Sequence, residues 1–169
     1  NHFIYEENIN AAYVTVNRQM KKWTVQGGLR VENTNANGNQ ITQKTKFKRD
    51  TTNLFPTAFV SYAVNKKNTL TVSYGRRILR PNYQDLNPFE FKLDEYTFQK
   101  GNINLRPQYT NSIGITNTYQ YKLTTTLNYS HVKDLFTQVF DTAEKSKAFI
   151  SKKNLATQDI VSLNISYPY

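Results

Sequence analysis

Apolar residues recur at every second position over long stretches of the chain. Between Trp23 and Glu32, Trp23, Val25, Gly27, Leu29 and Val31 fall on one side of an extended backbone, and Thr24, Gln26, Gly28, Arg30 and Glu32 on the other. Pro56, Ala58, Val60, Tyr62 and Val64 oppose Thr57 and Ser61, with Phe59 departing from the pattern. Leu70, Val72 and Tyr74 oppose Thr71 and Ser73, and Val161, Leu163, Ile165 and Tyr167 oppose Ser162, Asn164 and Ser166. This is the period of a β-strand with one apolar and one polar face. A soluble antiparallel sheet resting on a core alternates in the same way, so periodicity gives an all-β class without naming the solvent.

The alternation and its interruptions predict about seven strands. They run over Tyr5 to Arg18, Trp23 to Thr34, Asn53 to Val64, Thr69 to Ile78, Tyr109 to Tyr119, Leu123 to Phe140 and Ala148 to Tyr167. Tight turns are expected at Gln19 to Lys22, Asn65 to Asn68 and Gln120 to Lys122. Long connections are expected at Asn35 to Lys48, whose Asn-Ala-Asn-Gly-Asn core is turn chemistry, at Leu79 to Pro107 and at Asp141 to Lys147. No helix is required. Short turns then gather at one end of the sheet and long loops at the other, which is how outer-membrane barrels are built. Several strands exceed the 5 or 6 residues usual in soluble sheets. The expected fold is an antiparallel meander forming part of a transmembrane β-barrel wall. Arg30 and Glu32 then face the lumen, because a cation near the bilayer midplane on the lipid side costs about 2 to 4 kcal/mol. Trp23, Tyr62, Tyr119, Tyr121 and Tyr167 are placed in an interfacial aromatic girdle.

At 169 residues the chain reads as a single domain, with no composition shift marking a linker. Its start at Asn1, in a strand lead-in, suggests a piece of a longer precursor. Cysteine is absent, which removes disulfides and thiolate metal sites. No apolar run approaches the roughly 18 residues of a transmembrane helix, so membrane contact is through strands. The 22 Lys and Arg exceed the 12 Asp and Glu, for a formal charge of +10. Many of these cations sit in turns (Lys21, Lys22, Lys66, Lys67, Lys122) or long loops (Lys44, Lys46, Lys48, Arg49, Lys145, Lys147, Lys152, Lys153), as solvated hairpin ends do. Basic and aromatic residues interleave in Lys46 to Phe55 and Tyr74 to Tyr83 without any nucleic-acid recognition signature. No nucleic-acid partner is expected.

Catalytic and metal chemistry find little support. His2 and His131 are isolated. Ser130, His131 and Asp134 suggest a hydrolase constellation, but residues three apart in a strand point to opposite faces. Asp85, Glu90, Asp94 and Glu95 match no calcium-loop spacing. Gly27 and Gly28 lie within a strand and read as close packing rather than a phosphate cradle. The expectation is no enzyme, no metal and no cofactor.

One stretch, Tyr-Gly-Arg-Arg-Ile-Leu-Arg-Pro-Asn-Tyr-Gln-Asp-Leu-Asn-Pro-Phe at 74–89, carries more. With Ala-Ala-Tyr at 11–13, Gly-Leu-Arg-Val-Glu at 28–32, Leu-Phe-Pro at 54–56, Gly-Asn-Ile-Asn-Leu-Arg-Pro at 101–107 and Asn-Leu at 154–155, it resembles the barrel region of TonB-dependent receptors of Bacteroidota, over nearly the whole chain. It departs at Ile103 and Gln108, where Pro and an acidic residue are expected. The resemblance implies an outer-membrane receptor or transporter for a siderophore, glycan or peptide product, driven from the inner membrane. Neither a plug domain nor an energy-coupling box stands in these residues, so 1–169 is expected to be one segment of a larger wall. Its partners would be outer-membrane lipid, the remaining strands and plug or another copy of the chain, an energy-coupling protein and a ligand. Arg76, Arg77, Arg80, Pro81, Tyr83, Asn87, Pro88 and Phe89 are the candidate motif, bracing the rim or touching ligand, within a connection suited to ligand contact. The alternative is a soluble all-β module binding glycan or nucleic acid.

Overall fold

The structure, a computed structural model, describes residues 2–41, 45–144 and 147–168. Seven long strands make an antiparallel meander: β1 (Phe3–Gln19), β2 (Trp23–Gln40), β3 (Thr45–Ala63), β4 (Asn68–Leu79), β7 (Gln108–Tyr119), β8 (Leu123–Glu144) and β9 (Lys147–Ser166). Between β4 and β7 the chain inserts a helical turn, α1 (Tyr83–Leu86), and two short strands, β5 (Glu90–Lys92) and β6 (Thr97–Lys100). The sheet order is β1-β2-β3-β4-β7-β8-β9-β6-β5. The sheet is open.

The expected seven-strand wall is present, and three details differ. The longest connection is not irregular, since it holds α1, β5 and β6, and β6 pairs in parallel with residues 148–150 of β9. Residues 35–40 and 45–48 continue β2 and β3, and β8 and β9 continue through 141–144 and from 147. Turn propensity in Asn-Ala-Asn-Gly-Asn yields because β2 is paired along its length with β1 on one side and β3 on the other. Lys44 and Lys145 lie outside the described residues.

Tight turns form where expected. Met20 and Trp23 exchange backbone bonds around Lys21 and Lys22, and the Asn65 Oδ1 accepts from the N–H groups of Lys67 and Asn68 at 2.8 and 2.9 Å. Gln120 and Tyr121 adopt φ of 51° and 56°.

Register separates the two faces row by row. Val25, Val60, Val72, Ile115, Leu127 and Leu163 lie side by side across six strands. The adjacent row, pointing the opposite way, is Thr24, Ser61, Thr71, Thr116, Thr126 and Asn164. Within it Thr71 donates to Ser61 at 3.1 Å, and the Thr116 and Thr126 hydroxyls are 3.0 Å apart. The insertion packs on this polar, inner face. The buried apolar cluster is correspondingly small: Phe3, Leu86 and Leu105, flanked by Tyr5, Phe47, Phe89 and Phe136.

Candidate functional site

The insertion is built from its own local chemistry and then tied to the wall. Asn82 caps α1: its Oδ1 accepts from the Asp85 N–H at 2.8 Å, while the Asp85 carboxylate accepts from the Asn82 N–H at 3.3 Å. The Gly101 N–H donates to the Asn87 carbonyl at 2.9 Å, folding the two limbs of the insertion together. A Cβ at Gly101 would stand 2.3 Å from that carbonyl oxygen and 2.7 Å from the Asn87 nitrogen and the Gln84 oxygen. All three are backbone atoms, so Gly101→Ala should open the insertion at a cost of about 2 kcal/mol. Faster tryptic cleavage at Lys92 and Lys100, with the wall's circular dichroism unchanged, would report it.

Polar ties from several strands hold this unit to the inner face. Arg80 donates to Glu32 at 2.5 Å and to the Thr34 hydroxyl at 3.0 Å, with Glu7 at 3.8 Å. Arg30 reaches the other oxygen of Glu32, whose side chain is only 3% exposed. The Arg49 guanidinium donates to the carbonyls of Ile103 and Leu105. On the far side Lys152 meets Asp85 at 2.9 Å, and the Asn102 Nδ2 donates to the Lys152 carbonyl at 3.0 Å.

Asn154 works as a side-chain peptide. Its Oδ1 accepts from the Arg106 N–H at 2.8 Å, and its Nδ2 donates to the carbonyls of Arg106 and Asp134 at 3.0 and 2.6 Å. Asp134 sits at a bulge in β8 with φ of 56°, and its carboxylate pairs with Arg106 at 2.7 Å.

Of the motif residues, Arg80, Pro81, Tyr83, Asn87, Pro88 and Phe89 gather in this packed unit. Pro81, Asn87 and Pro88 are buried, and the Tyr83 hydroxyl donates to the Phe3 carbonyl at 3.2 Å. Arg76 and Arg77 stand apart on β4: Arg76 lies half-buried, 5.1 Å over the Tyr109 ring, and Arg77 is exposed. Between Glu7, Arg49, Arg80, Ile78 and Pro107 a cavity of about 50 Å³ remains. Glu32, Arg49, Asn102, Lys152 and Asn154 carry no local sequence signal that marks them as site residues. Glu32, Asn102 and Asn154 nonetheless fall inside the ordered phrases at 28–32, 101–107 and 154–155.

The remaining candidates disperse. His131 pairs with Asp159 on the next strand at 2.7 Å, and the Ser130 hydroxyl meets Ser112 at 2.8 Å, so Ser130, His131 and Asp134 form no triad. Glu90 pairs with Lys100, and Asp94 accepts the N–H groups of Tyr96 and Thr97, which hold its carboxyl below the usual range. The turn at 94–97 is therefore complete above an ordinary carboxylate pKa of roughly 4 and should loosen as pH falls through the lowered folded value. Accelerated amide exchange at Tyr96 and Thr97 in acid would show it. Among the described residues no group of three His, Asp or Glu could hold a metal.

The opposite, outer face is bare. Val161, Leu163 and Ile165 are 63–70% exposed, and no second layer covers the apolar rows among the described residues. Trp23 and Tyr62 stack at 4.2 Å beside the short turns, with Tyr119, Tyr121 and Tyr167 exposed at the same end. Toward the other end, the Tyr74 hydroxyl donates to Asn111 at 3.0 Å and that of Tyr129 to Asp159 at 2.7 Å, rings below and polar tips above. Such a face suits acyl chains. The chain matches, over residues 1–169, the model of the outer membrane protein beta-barrel family.

It belongs to that family. As a member of the outer membrane protein beta-barrel family, it lies in the outer membrane, with the sheet forming barrel wall. Among solved structures it is similar to a Serratia marcescens hemophore receptor, HasR, solved with its hemophore HasA and heme, at 15% identity and a TM-score of 0.75, covering 94% of this chain and 31% of that one. It is also similar to the copper transporter OprC (13%, TM-score 0.72, 94% and 25%) and to the siderophore receptor PirA of Pseudomonas aeruginosa (11%, TM-score 0.63, 96% and 39%). The chain thus spans a quarter to two fifths of these relatives. No curated protein matches it.

Proposed function

We propose that residues 1–169 are one segment of the wall of a TonB-dependent-type receptor of the kind found in Bacteroidota, which takes up a siderophore, glycan or peptide product through a larger, plugged barrel. The observation that carries this reading is an open sheet of seven long strands with a folded insertion on its polar face. Seven is fewer than the eight strands of the smallest single-chain barrels, and the outer edges of β1 and most of β9 have no partner strand among the described residues. The remaining strands, or another copy, supply those partners. The solved receptors and transporter of like fold support a transport role in which the segment performs no catalysis. Arg80, Pro81, Tyr83, Asn87, Pro88 and Phe89 brace the insertion, leaving the β5–β6 hairpin to meet ligand. An energy-coupling protein acts on the plug, outside this segment.

The test uses the full-length protein in cells. Uptake of ferric siderophores, heme, oligosaccharides and oligopeptides is measured with and without residues 90–100, before and after collapse of the proton-motive force. At least one compound should accumulate, stop accumulating on collapse, and bind more than 10-fold more weakly without the hairpin. Passive, energy-independent permeation of all of them would overturn the receptor reading.

A further inference from the structure

The outer face changes character in a single row. Ala12, Val31 and Leu54 are register neighbours at the top of the apolar band, and the next outward row is Asn10, Asn33 and Thr52. Above it every outward position of β2 is an amide, Asn33, Asn35, Asn37 and Asn39, with Asn8 and Asn10 alongside on β1. Inward positions of the same stretch, Thr34, Ala36, Gly38 and Gln40, are buried. At Gly38 the fit is tight: a Cβ there would stand 2.1 Å from the Phe47 ring. The amides are therefore held outward by inner-face packing. The Asn35 Nδ2 donates to Asn33 at 2.7 Å, and the Asn33 Nδ2 donates to Asp50 and Thr52 at 2.9 and 3.1 Å, fixing the lower rung. Higher up, Asn37 and Asn39 line an open groove of about 530 Å³ with Ile4, Glu6, Lys46 and Lys48.

We infer that this amide wall docks the saccharide headgroup of a glycolipid in the outer leaflet. The surface continues the lipid-facing band upward without a break, so whatever stands against it is attached to, or lies directly over, the acyl chains. Its height argues for a large headgroup. From Asn33 to Asn39 the strand runs about 20 Å along its own axis, or about 15 Å along the membrane normal at the usual tilt of a barrel strand, whereas the polar layer of a phospholipid bilayer is about 5 to 8 Å on each side. Its chemistry argues for sugar rather than phosphate. Above the bonded rung of Asn33 and Asn35, the Asn37 and Asn39 amides in the groove offer donors and acceptors to hydroxyls that are themselves both, and Lys46 and Lys48 are offset by Glu6 and Asp50 on the same face. The inference rests on the membrane placement of the outer face and is independent of which compound the receptor transports.

The full-length protein in phosphatidylethanolamine nanodiscs is doped with lipid A alone or with lipid A carrying its core oligosaccharide, and retained lipid is counted by native mass spectrometry. The saccharide-bearing form should be retained at least 10-fold over lipid A. The triple variant Asn35→Ser, Asn37→Ser, Asn39→Ser should lose that preference, and Lys46→Gln with Lys48→Gln should keep it. Equal retention of both lipids, an unchanged triple variant, or loss confined to the lysine variant, which would mean phosphate recognition, each overturns the inference. If the triple variant misfolds, judged by its heat-shifted gel mobility, a dye on Asn37→Cys in a chain otherwise free of cysteine in these residues supplies the answer. Core-bearing lipid should shield it from aqueous iodide where lipid A does not, and equal quenching in the two membranes overturns the inference.

Discussion

Glu32→Ala should release the insertion from the wall at a cost of about 3 kcal/mol, because a buried ion pair broken on one side leaves its cation unpaired. The carboxylate is 3% exposed and shared by Arg30 and Arg80. Arg30, more than half exposed, turns to water at little cost. Arg80 is 21% exposed and keeps the Thr34 hydroxyl at 3.0 Å and the Glu7 carboxylate at 3.8 Å, which places the effect at the low end for such a break. Hydrogen exchange over residues 80–107 should rise by two orders of magnitude while exchange in the β7–β8 pairing stays slow. Replacing both partners together, Glu32→Met with Arg80→Met, should recover most of the loss, since no charge is then stranded. Unchanged exchange in Glu32→Ala would show that the other ties, those of Arg49, Lys152, Asn154, Asp134 and the Phe3 carbonyl, hold the insertion without it. The same variant separates bracing from ligand contact: a brace loses protection before any ligand is added.

This clamp was only half legible in the sequence. The phrase at 74–89 points to Arg80, and the lipid cost of a charge puts Glu32 on the lumen side, yet nothing local joins residues 48 positions apart. Strand periodicity reports the face a residue takes and carries no information on which loop will fold back over it. Asn102 and Asn154 show the same limit. Their side chains satisfy backbone groups of distant segments, a task any loop asparagine could be given, so only the assembled fold reveals it. Asn35 to Gln40 fails for the opposite reason. Its local signal was strong and pointed to a turn, but pairing on both sides and the Phe47 ring over Gly38 required extended backbone there. The wall itself was readable because a two-residue period survives in every long strand, and because each tight turn carries its own chemistry.

The two faces make the most direct test of the wall, since adjacent residues of one strand should respond oppositely to the same charge. Val72 sits mid-row between Val60 and Ile115, 37% exposed on a face with no protein layer over it among the described residues. Ser73, its neighbour, points inward beside Gly114. In the full-length protein refolded into phospholipid vesicles, Val72→Arg should lose about 2 to 4 kcal/mol, the cost of a guanidinium near the bilayer midplane, whereas Ser73→Arg should lose about 1 kcal/mol or less. Urea titrations of tryptophan fluorescence measure both. In detergent micelles, where water reaches the belt more easily, the gap should narrow. Equal losses for the two variants in vesicles would mean that the Val72 row faces protein or water, and the bilayer assignment of the outer face would fall with it.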